Sequence, residues 1–284
     1  MKRQKSFEKD NAKLYLVATP IGNLEDITFR AINTLKKVDI IYCEDTRTSK
    51  KLLDHYDINT KLKSVHLFNE NEVSEEIVRT VKEGLNVAII SDAGMPVISD
   101  PGWIVSKDAI EQDIDIVVVP GASAGITALI ASGITAHPFY FAGFLNSKSA
   151  KRRQELKEMY NREETIIFYE SPHRIEETLK ILVDIYPNRK ITLARELTKL
   201  HEEYLRGTPE EILSVVDSIK GEIVIILEGN KNPIEDHILE LNNLTIEDHY
   251  SHYIENGIDH KEALKKVAND RHISKKEVYE KIKK

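Results

Sequence analysis

Cysteine is almost missing: Cys43 stands alone in 284 residues. A single thiol forms no internal disulfide framework, and such a chain suits a reducing, cytoplasmic compartment. No apolar run approaches the roughly 18 residues of a membrane span. Met1–Asp10 is basic and polar without an apolar centre, so it does not read as a secretory signal but as a frayed arm. Neither G-x-G-x-x-G nor a Walker loop occurs, which argues against a nicotinamide enzyme and a P-loop kinase. The ten histidines are scattered, so no zinc spacing is present and no metal is expected. An excess of positive charge is also missing. Against 47 acids the chain has 40 Lys and Arg, a net charge of -7, which excludes a simple nucleic-acid coat but leaves room for a local basic patch. No internal repeat or low-complexity stretch is visible.

What is there is globular: 41% hydrophobic and 31% charged residues, in a length that allows two domains with separate cores. Glycine and proline are concentrated in a few turns. The densest is Ala88–Gly102, where a run of β-formers ends in a turn with Asp92, Gly94, Pro96, Asp100, Pro101 and Gly102. Such a turn shapes the backbone itself, and ligands of α/β sheets settle at the carboxyl ends of strands.

Strand patterns over residues 13–19, 38–43, 63–68, 85–90 and 114–119 alternate with helical ones, predicting βα units and a mostly parallel sheet. A second set follows a helix over 123–132: strands at 139–144, 165–169, 190–194 and 222–227, with helices at 148–160, to Ile185, and from Thr208-Pro209 to Lys220-Gly221. The closer spacing there predicts a mixed sheet. Beyond residue 233 only short helices are expected, at 250–256, 261–270 and 274–282. Residues 260–284 hold nine Lys and Arg against four acids. That is either a solvated helical face or a surface for phosphate contact.

Gly121-Ala122-Ser123-Ala124-Gly125 has the G-x-S-x-G spacing of a nucleophile elbow between strand and helix, with Asp184 and His201 later in the chain. The alternative is a helix N-terminus that receives a ligand's polar groups. Glu44-Asp45-Thr46-Arg47, His173-Arg174 and Arg195-Glu196 each stand at a predicted strand end. One such pair would be an ordinary helix cap, whereas three favour a cleft.

Six segments in order then carry a resemblance: Ala18–Leu24, Glu44–Arg47, Ser91–Gly102, Val119–Ala124, Phe168–Arg174 and Ala194–Lys199. Over residues 13–229 the chain resembles the tetrapyrrole-methylase-like, class III S-adenosylmethionine enzymes, in particular the branch that acts on small-subunit ribosomal RNA. The resemblance implies two α/β domains, residues 1–121 and 122–232, around a cofactor cleft, plus a helical basic extension over 233–284. It implies S-adenosylmethionine as cofactor, a homodimer, and methylation of a cytidine ribose 2′-hydroxyl in the decoding region of 16S ribosomal RNA. The implied cofactor-binding residues are Pro20, Asp92, Ala93, Gly94, Met95, Val97, Ser123, Ala124, Tyr169, Glu170 and Ala194. Met95 replaces the family's usual threonine in this turn. For the proton chemistry the chain offers Glu44, His173 and Glu196 as bases and Arg47, Arg174 and Lys199 as cationic partners, unranked. A methylase of a tetrapyrrole precursor and a serine hydrolase using Ser123 stay open as alternatives.

Overall fold

The structure is a computed structural model that describes residues 1–284 apart from 9, 67, 68, 217–220, 232–237, 239, 272 and 284. Two five-stranded sheets organise it. The first holds β1 (Leu14–Val17), β2 (Ile40–Cys43), β3 (Lys61–Ser64), β4 (Val87–Ile90) and β5 (Ile116–Val119), in the order β3-β2-β4-β1-β5 and parallel throughout. Its inner strands read as continuous apolar runs because both faces are covered. Leu16, Tyr42 and Ile89 point into a core with Ile77 of α3 (Glu70–Lys82) and Val105 of α4 (Trp103–Glu111). Their neighbours Val17, Ile41 and Ile90 point the other way, against Ala31 and Leu35 of α1 (Phe29–Lys37) and Leu53 of α2 (Thr46–His55). The adjacent strands β1 and β4 therefore send their helices to opposite faces, and a crevice opens between the loops at their carboxyl ends.

The second sheet holds β6 (Phe139–Phe144), β7 (Thr165–Glu170), β8 (Ile191–Arg195), β9 (Glu203–Gly207) and β10 (Ile223–Leu227), in the order β6-β7-β10-β8-β9. It is mixed, as the spacing predicted: β6 and β7 are parallel, while β10 runs antiparallel to both β7 and β8. One face packs on α6 (Ser149–Glu158), α7 (Ile175–Ile185) and α8 (Pro209–Leu213) through Leu156, Leu179, Leu182 and Ile212. The other face, through Ile167, Ala194, Val224 and Ile226, meets Ala128 and Leu129 of α5 (Ala124–Ser132). Ile21, from the loop after β1, joins the same cluster and links the halves. Gly22 lies there too. A Cβ on it would fall 2.6 Å from Lys199 Cγ, at a φ of +156°, so only glycine lets the two loops close.

Three readings shift. The third strand is Lys61–Ser64 rather than 63–68: Val65 is buried and donates a last hydrogen bond to Cys43 O at 2.9 Å before the pairing stops, and residues 67 and 68 lie outside the described ones. Strand β9 was not anticipated; as an edge strand paired only with β8 it shows no apolar run. The N-terminal arm is docked rather than frayed. Gln4 exchanges hydrogen bonds with the Ile116 backbone at 2.7 and 3.1 Å, and Lys2 Nζ donates to Ile110 O at 2.6 Å. The expected helix end at Lys220 lies outside the described residues.

At the C-terminus, α9 (Ile246–Glu255), α10 (His260–Asp270) and α11 (Lys275–Ile282) share a small core of Leu264, Val267, Ala268 and Val278. Thr245, Asp259 and Ser274 cap them by side-chain oxygens that accept first-turn N–H groups.

Candidate functional site

The loop after β4 is shaped by strain and by a buried acid. Val97 and Ser99 adopt left-handed φ values of 77° and 67°. A β-branched residue in that region is an outlier that the surroundings must hold in place. Glu70, 4% exposed, accepts the backbone N–H groups of Gly102 and Ile104 at 2.8 and 2.9 Å, so an acidic group closes the start of α4. Gly102 must be glycine, since a Cβ there would meet Val97 Cγ2 at 3.0 Å with φ at +127°. At the loop's other end Thr19 and Gly94 exchange backbone hydrogen bonds of 2.9 and 3.1 Å, joining it to the loop after β1.

Between this loop, the start of α5 and the ends of β6, β7 and β10 lies a cavity of about 400 Å³. Asp92, Ala93, Gly94 and Met95 form one wall, Ser123 and Ala124 the side, and Tyr169 and Glu170 the opposite wall. Eight of the eleven residues expected at the cofactor thus line it. Pro20 and Val97 do not line it; their neighbours Ile21 and Ile98 do. Ala194 is buried in the joint between the halves.

Sequence reasoning missed Asp100, Phe144, Glu222, Ile223 and Val224, which also line the cavity. Burial first, then the charges of Glu44 and Asp92, push the Asp100 carboxyl up to about 7. No sequence pattern marks such an acid, because the effect needs a charge from the end of another strand. Burial also pushes the Tyr169 hydroxyl up; it lies against Gly125, whose missing side chain leaves it room.

The six candidates for proton chemistry are not gathered there, and none lines the cavity. Glu44 is exposed at the end of β2, with its charge felt at Asp100. Arg47 is held by its own helix cap, Asp45, at 2.9 Å. His173 is exposed, with its backbone N–H on Ser171 Oγ at 3.3 Å. Arg174 pairs with Glu170 at 2.7 Å. Glu170 is thereby committed: it also accepts from Ser171 N at 2.7 Å and Thr178 Oγ1 at 2.6 Å, and so fixes the turn after β7. Glu196 pairs with Lys199 at 3.0 Å and packs where Gly221 has no side chain.

Ser123 has an extended φ of -145°, and its side chain makes no capping hydrogen bond. A nucleophile elbow needs a strained turn and a histidine in reach. Among the described residues Asp184 is engaged by Arg153 at 2.6 Å, and neither it nor His201 lines the cavity. Ser123 is the small polar residue that opens a ligand-facing helix start.

The cavity is apolar for most of its wall, yet Asp92, Asp100, Glu170 and Glu222 border it while no Lys, Arg or His among the described residues does. Such a pocket suits a ligand with an apolar body and net positive charge. Its size lies within the usual range for small-molecule sites. An S-adenosylmethionine, cationic at sulfur and at its amino group, fits that chemistry.

A two-domain α/β methyltransferase with its cofactor in the cleft is the class that this fold and site define. Within that class the chain belongs to the Tetrapyrrole (Corrin/Porphyrin) Methylases, whose family pattern matches residues 13–213. Enzymes of this family draw their methyl group from S-adenosylmethionine.

Two relatives are similar over nearly their full length. The "Ribosomal RNA small subunit methyltransferase I" of Bacillus subtilis is 47% identical, covering 99% of this chain and 98% of its own. The protein of the same name in Halalkalibacterium halodurans is 48% identical over 98% of each chain. Among solved structures, diphthine synthase aligns with a TM-score of 0.60 at 11% identity, over 77% of this chain and 90% of its own. Uroporphyrin-III-C-methyltransferase from Thermus thermophilus aligns at 0.54 and 18%, over 76% and 94%. These two show the fold alone.

Proposed function

We propose that this protein methylates the ribose 2′-hydroxyl of a cytidine in the decoding region of 16S ribosomal RNA, in the cytoplasm, with the RNA presented in the small ribosomal subunit. The observation that carries this reading is the 47–48% identity, over almost the whole length, to relatives named for small-subunit ribosomal RNA methylation. When bound, S-adenosylmethionine supplies an electrophilic methyl group on a sulfonium centre. Asp92 to Met95 hold it by backbone and carboxylate, Ser123 and Ala124 by the start of α5, and Tyr169 by its ring. Glu170 contributes by holding the turn after β7 in place.

A ribose hydroxyl is a weak nucleophile, and orientation together with proton removal supplies the rate. Asp100 is the proton acceptor in this reading. It borders the cavity and ionises near neutrality, where a general base works best. Glu44 acts on it through charge rather than on substrate.

A tetrapyrrole precursor is the less favoured substrate, because its own carboxylates would meet a cavity edged by four acids. Exposed Val118, Ile126, Ile130 and Phe139 support a homodimer, which sedimentation of the pure protein reads directly. We divide the chain at 121/122, since α5 packs on the second sheet; the second boundary, near 232, lies outside the described residues.

The test is mass mapping of 16S ribosomal RNA from a strain lacking the protein. Loss of one decoding-region 2′-O-methyl cytidine is expected, with restoration when purified protein and S-adenosylmethionine are added to the small subunits. Persistence of every such methyl group sinks the reading.

A further inference from the structure

Phe144 is 60% exposed although it ends a strand beside the cofactor cavity. Its position depends on a local irregularity. Residues three apart in a regular strand point to opposite faces. Phe141 and Phe144 nevertheless both lie edge-on to the Tyr169 ring, with centroids 5.2 and 5.3 Å away. The register of β6 on β7 shifts between Phe141 and Gly143, and Gly143 takes a left-handed φ of +67°. This bulge turns Phe144 onto the cavity's rim, the use to which bulges beside active sites are put.

Phe144 also borders a second hollow, of about 300 Å³, that is lined on its far side by Tyr140, Glu155, Glu158 and Arg162. The Arg162 guanidinium lies 3.8 Å from the Tyr140 ring centre, so its plane is already oriented. Glu155 accepts from Asn146 N at 2.8 Å, while Glu158 is exposed and, among the described residues, is engaged only by Gln154 at 3.1 Å. Next along the chain, Lys148, Lys151 and Lys157 are exposed, and no ion pair to a described residue engages them. An exposed ring, a hollow with carboxylate and guanidinium, and exposed lysines on the segment that follows the ring are what an unstacked nucleotide needs: a stacking face, partners for its base edge and partners for its phosphates.

We propose that Phe144 is the stacking platform for the base of the nucleotide being methylated, that the hollow beyond it receives that base, and that Lys148 and Lys151 hold the adjoining phosphates. The proposal rests on RNA methylation as the reaction of the cofactor cavity. It places the base on the face of the ring toward the hollow, with the ribose reaching past the ring's edge toward the methyl donor. It also gives cytidine a physical reason. The exocyclic amino group of cytosine donates to a carboxylate, here Glu158, and Arg162 donates to its ring acceptors. Uracil would set a carbonyl against Glu158 instead.

The experiment measures methyl transfer to small ribosomal subunits from a strain lacking the protein, with S-adenosylmethionine affinity read by calorimetry in parallel. Phe144→Ala is expected to lower kcat/KM for the subunits by about tenfold or more, the scale of one lost base stack, with a much smaller loss of cofactor affinity. Phe144→Trp should restore transfer, because it keeps an aromatic face, and Glu158→Gln should narrow the preference for cytidine over uridine at the target position. Loss of cofactor affinity in step with transfer would make Phe144 a cofactor wall and overturn the proposal. So would an unchanged kcat/KM in Phe144→Ala. A wild-type protein that binds S-adenosylmethionine but methylates no subunits would overturn the RNA reading itself, and the base site with it.

Discussion

Asp100 shows how one residue carries opposite demands. Its carboxyl is pushed up to about 7 by burial and by the charges of Glu44 and Asp92, whereas an unfolded chain holds Asp near 3.9. The folded protein therefore binds an extra proton between about pH 4 and pH 7. That contribution to stability is fully present at the low end of the window and is lost as pH rises through 7. Activity runs the other way, since only the ionised group can take a proton. The rate should climb toward a plateau above about pH 7, and cationic cofactor in the site should move this limb to lower pH. Asp100→Asn is expected to remove the limb and to lower kcat by about 10²-fold or more, the usual worth of a general base. The same variant should melt at a higher temperature than the wild-type protein at pH 8, because it replaces a desolvated charge with a neutral amide. Melts at pH 5 and 8 beside a pH–rate profile settle both signs. An intact limb in the variant would return the proton chemistry to Glu44 or another group.

At the scale of elements, the loop between β4 and α4 is held from outside by Glu70 of α3. Removing that side chain leaves the buried N–H of Gly102 without an acceptor, at about 1–3 kcal/mol, and frees the half-buried N–H of Ile104 at less. Glu70→Ala should therefore lower the melting temperature and weaken S-adenosylmethionine binding together, because relaxing Gly102 frees the left-handed turn at Val97 and Ser99. Glu70→Gln, which keeps one acceptor oxygen, should fall between. Calorimetry showing full cofactor affinity in Glu70→Ala would separate the cap from the site. The loop's own glycines and prolines made it legible in sequence, as did the buried runs of β1, β4 and β10, whose apolar character follows from burial on both faces. Other features are properties of the assembly. β9 is an edge strand whose residues Glu203–Gly207 have to face water as well as β8. Phe144 reaches the site only through a shift in pairing, and Glu70 sits at the start of α3, where no sequence pattern marks its reach to the start of α4. Glu170 and Arg174 were legible as polar groups at a strand end, but only their mutual pairing reveals that they brace the turn.

At the scale of the whole molecule, two sheets make the cofactor cleft and a third, separate core makes the C-terminal helices. Arg271 secures that unit: its guanidinium donates to Leu244 O at 2.6 Å, to Leu241 O and Thr245 O at 3.1 Å, and to His249 Nδ1 at 3.1 Å. His249 is fully buried, and burial, then the Arg271 charge, holds its pKa below the ordinary histidine value. So a hydrogen-bonded centre of Arg271 and the buried His249 carries α10 and α11, on which Lys261, Lys265, Lys275, Lys276 and Lys281 are exposed. Among the described residues three short helices share this core, and none of its residues lines the cofactor cavity. The local excess of positive charge over residues 260–284, nine Lys and Arg against four acids, is instead suited to the phosphates of a folded RNA. Ending the chain at residue 232 is expected to leave S-adenosylmethionine affinity intact and to raise KM for small ribosomal subunits by about tenfold or more. The dependence of log KM on log salt should also become shallower, by about 0.7–0.9 for each phosphate contact removed. Restoring only the charge pattern on an unfolded tail, through Arg271→Ala in the full chain, should recover part of the salt dependence but little of the affinity. An identical KM at every salt concentration, before and after truncation, would assign the helices to folding or assembly and leave RNA recognition to the lysines of α6.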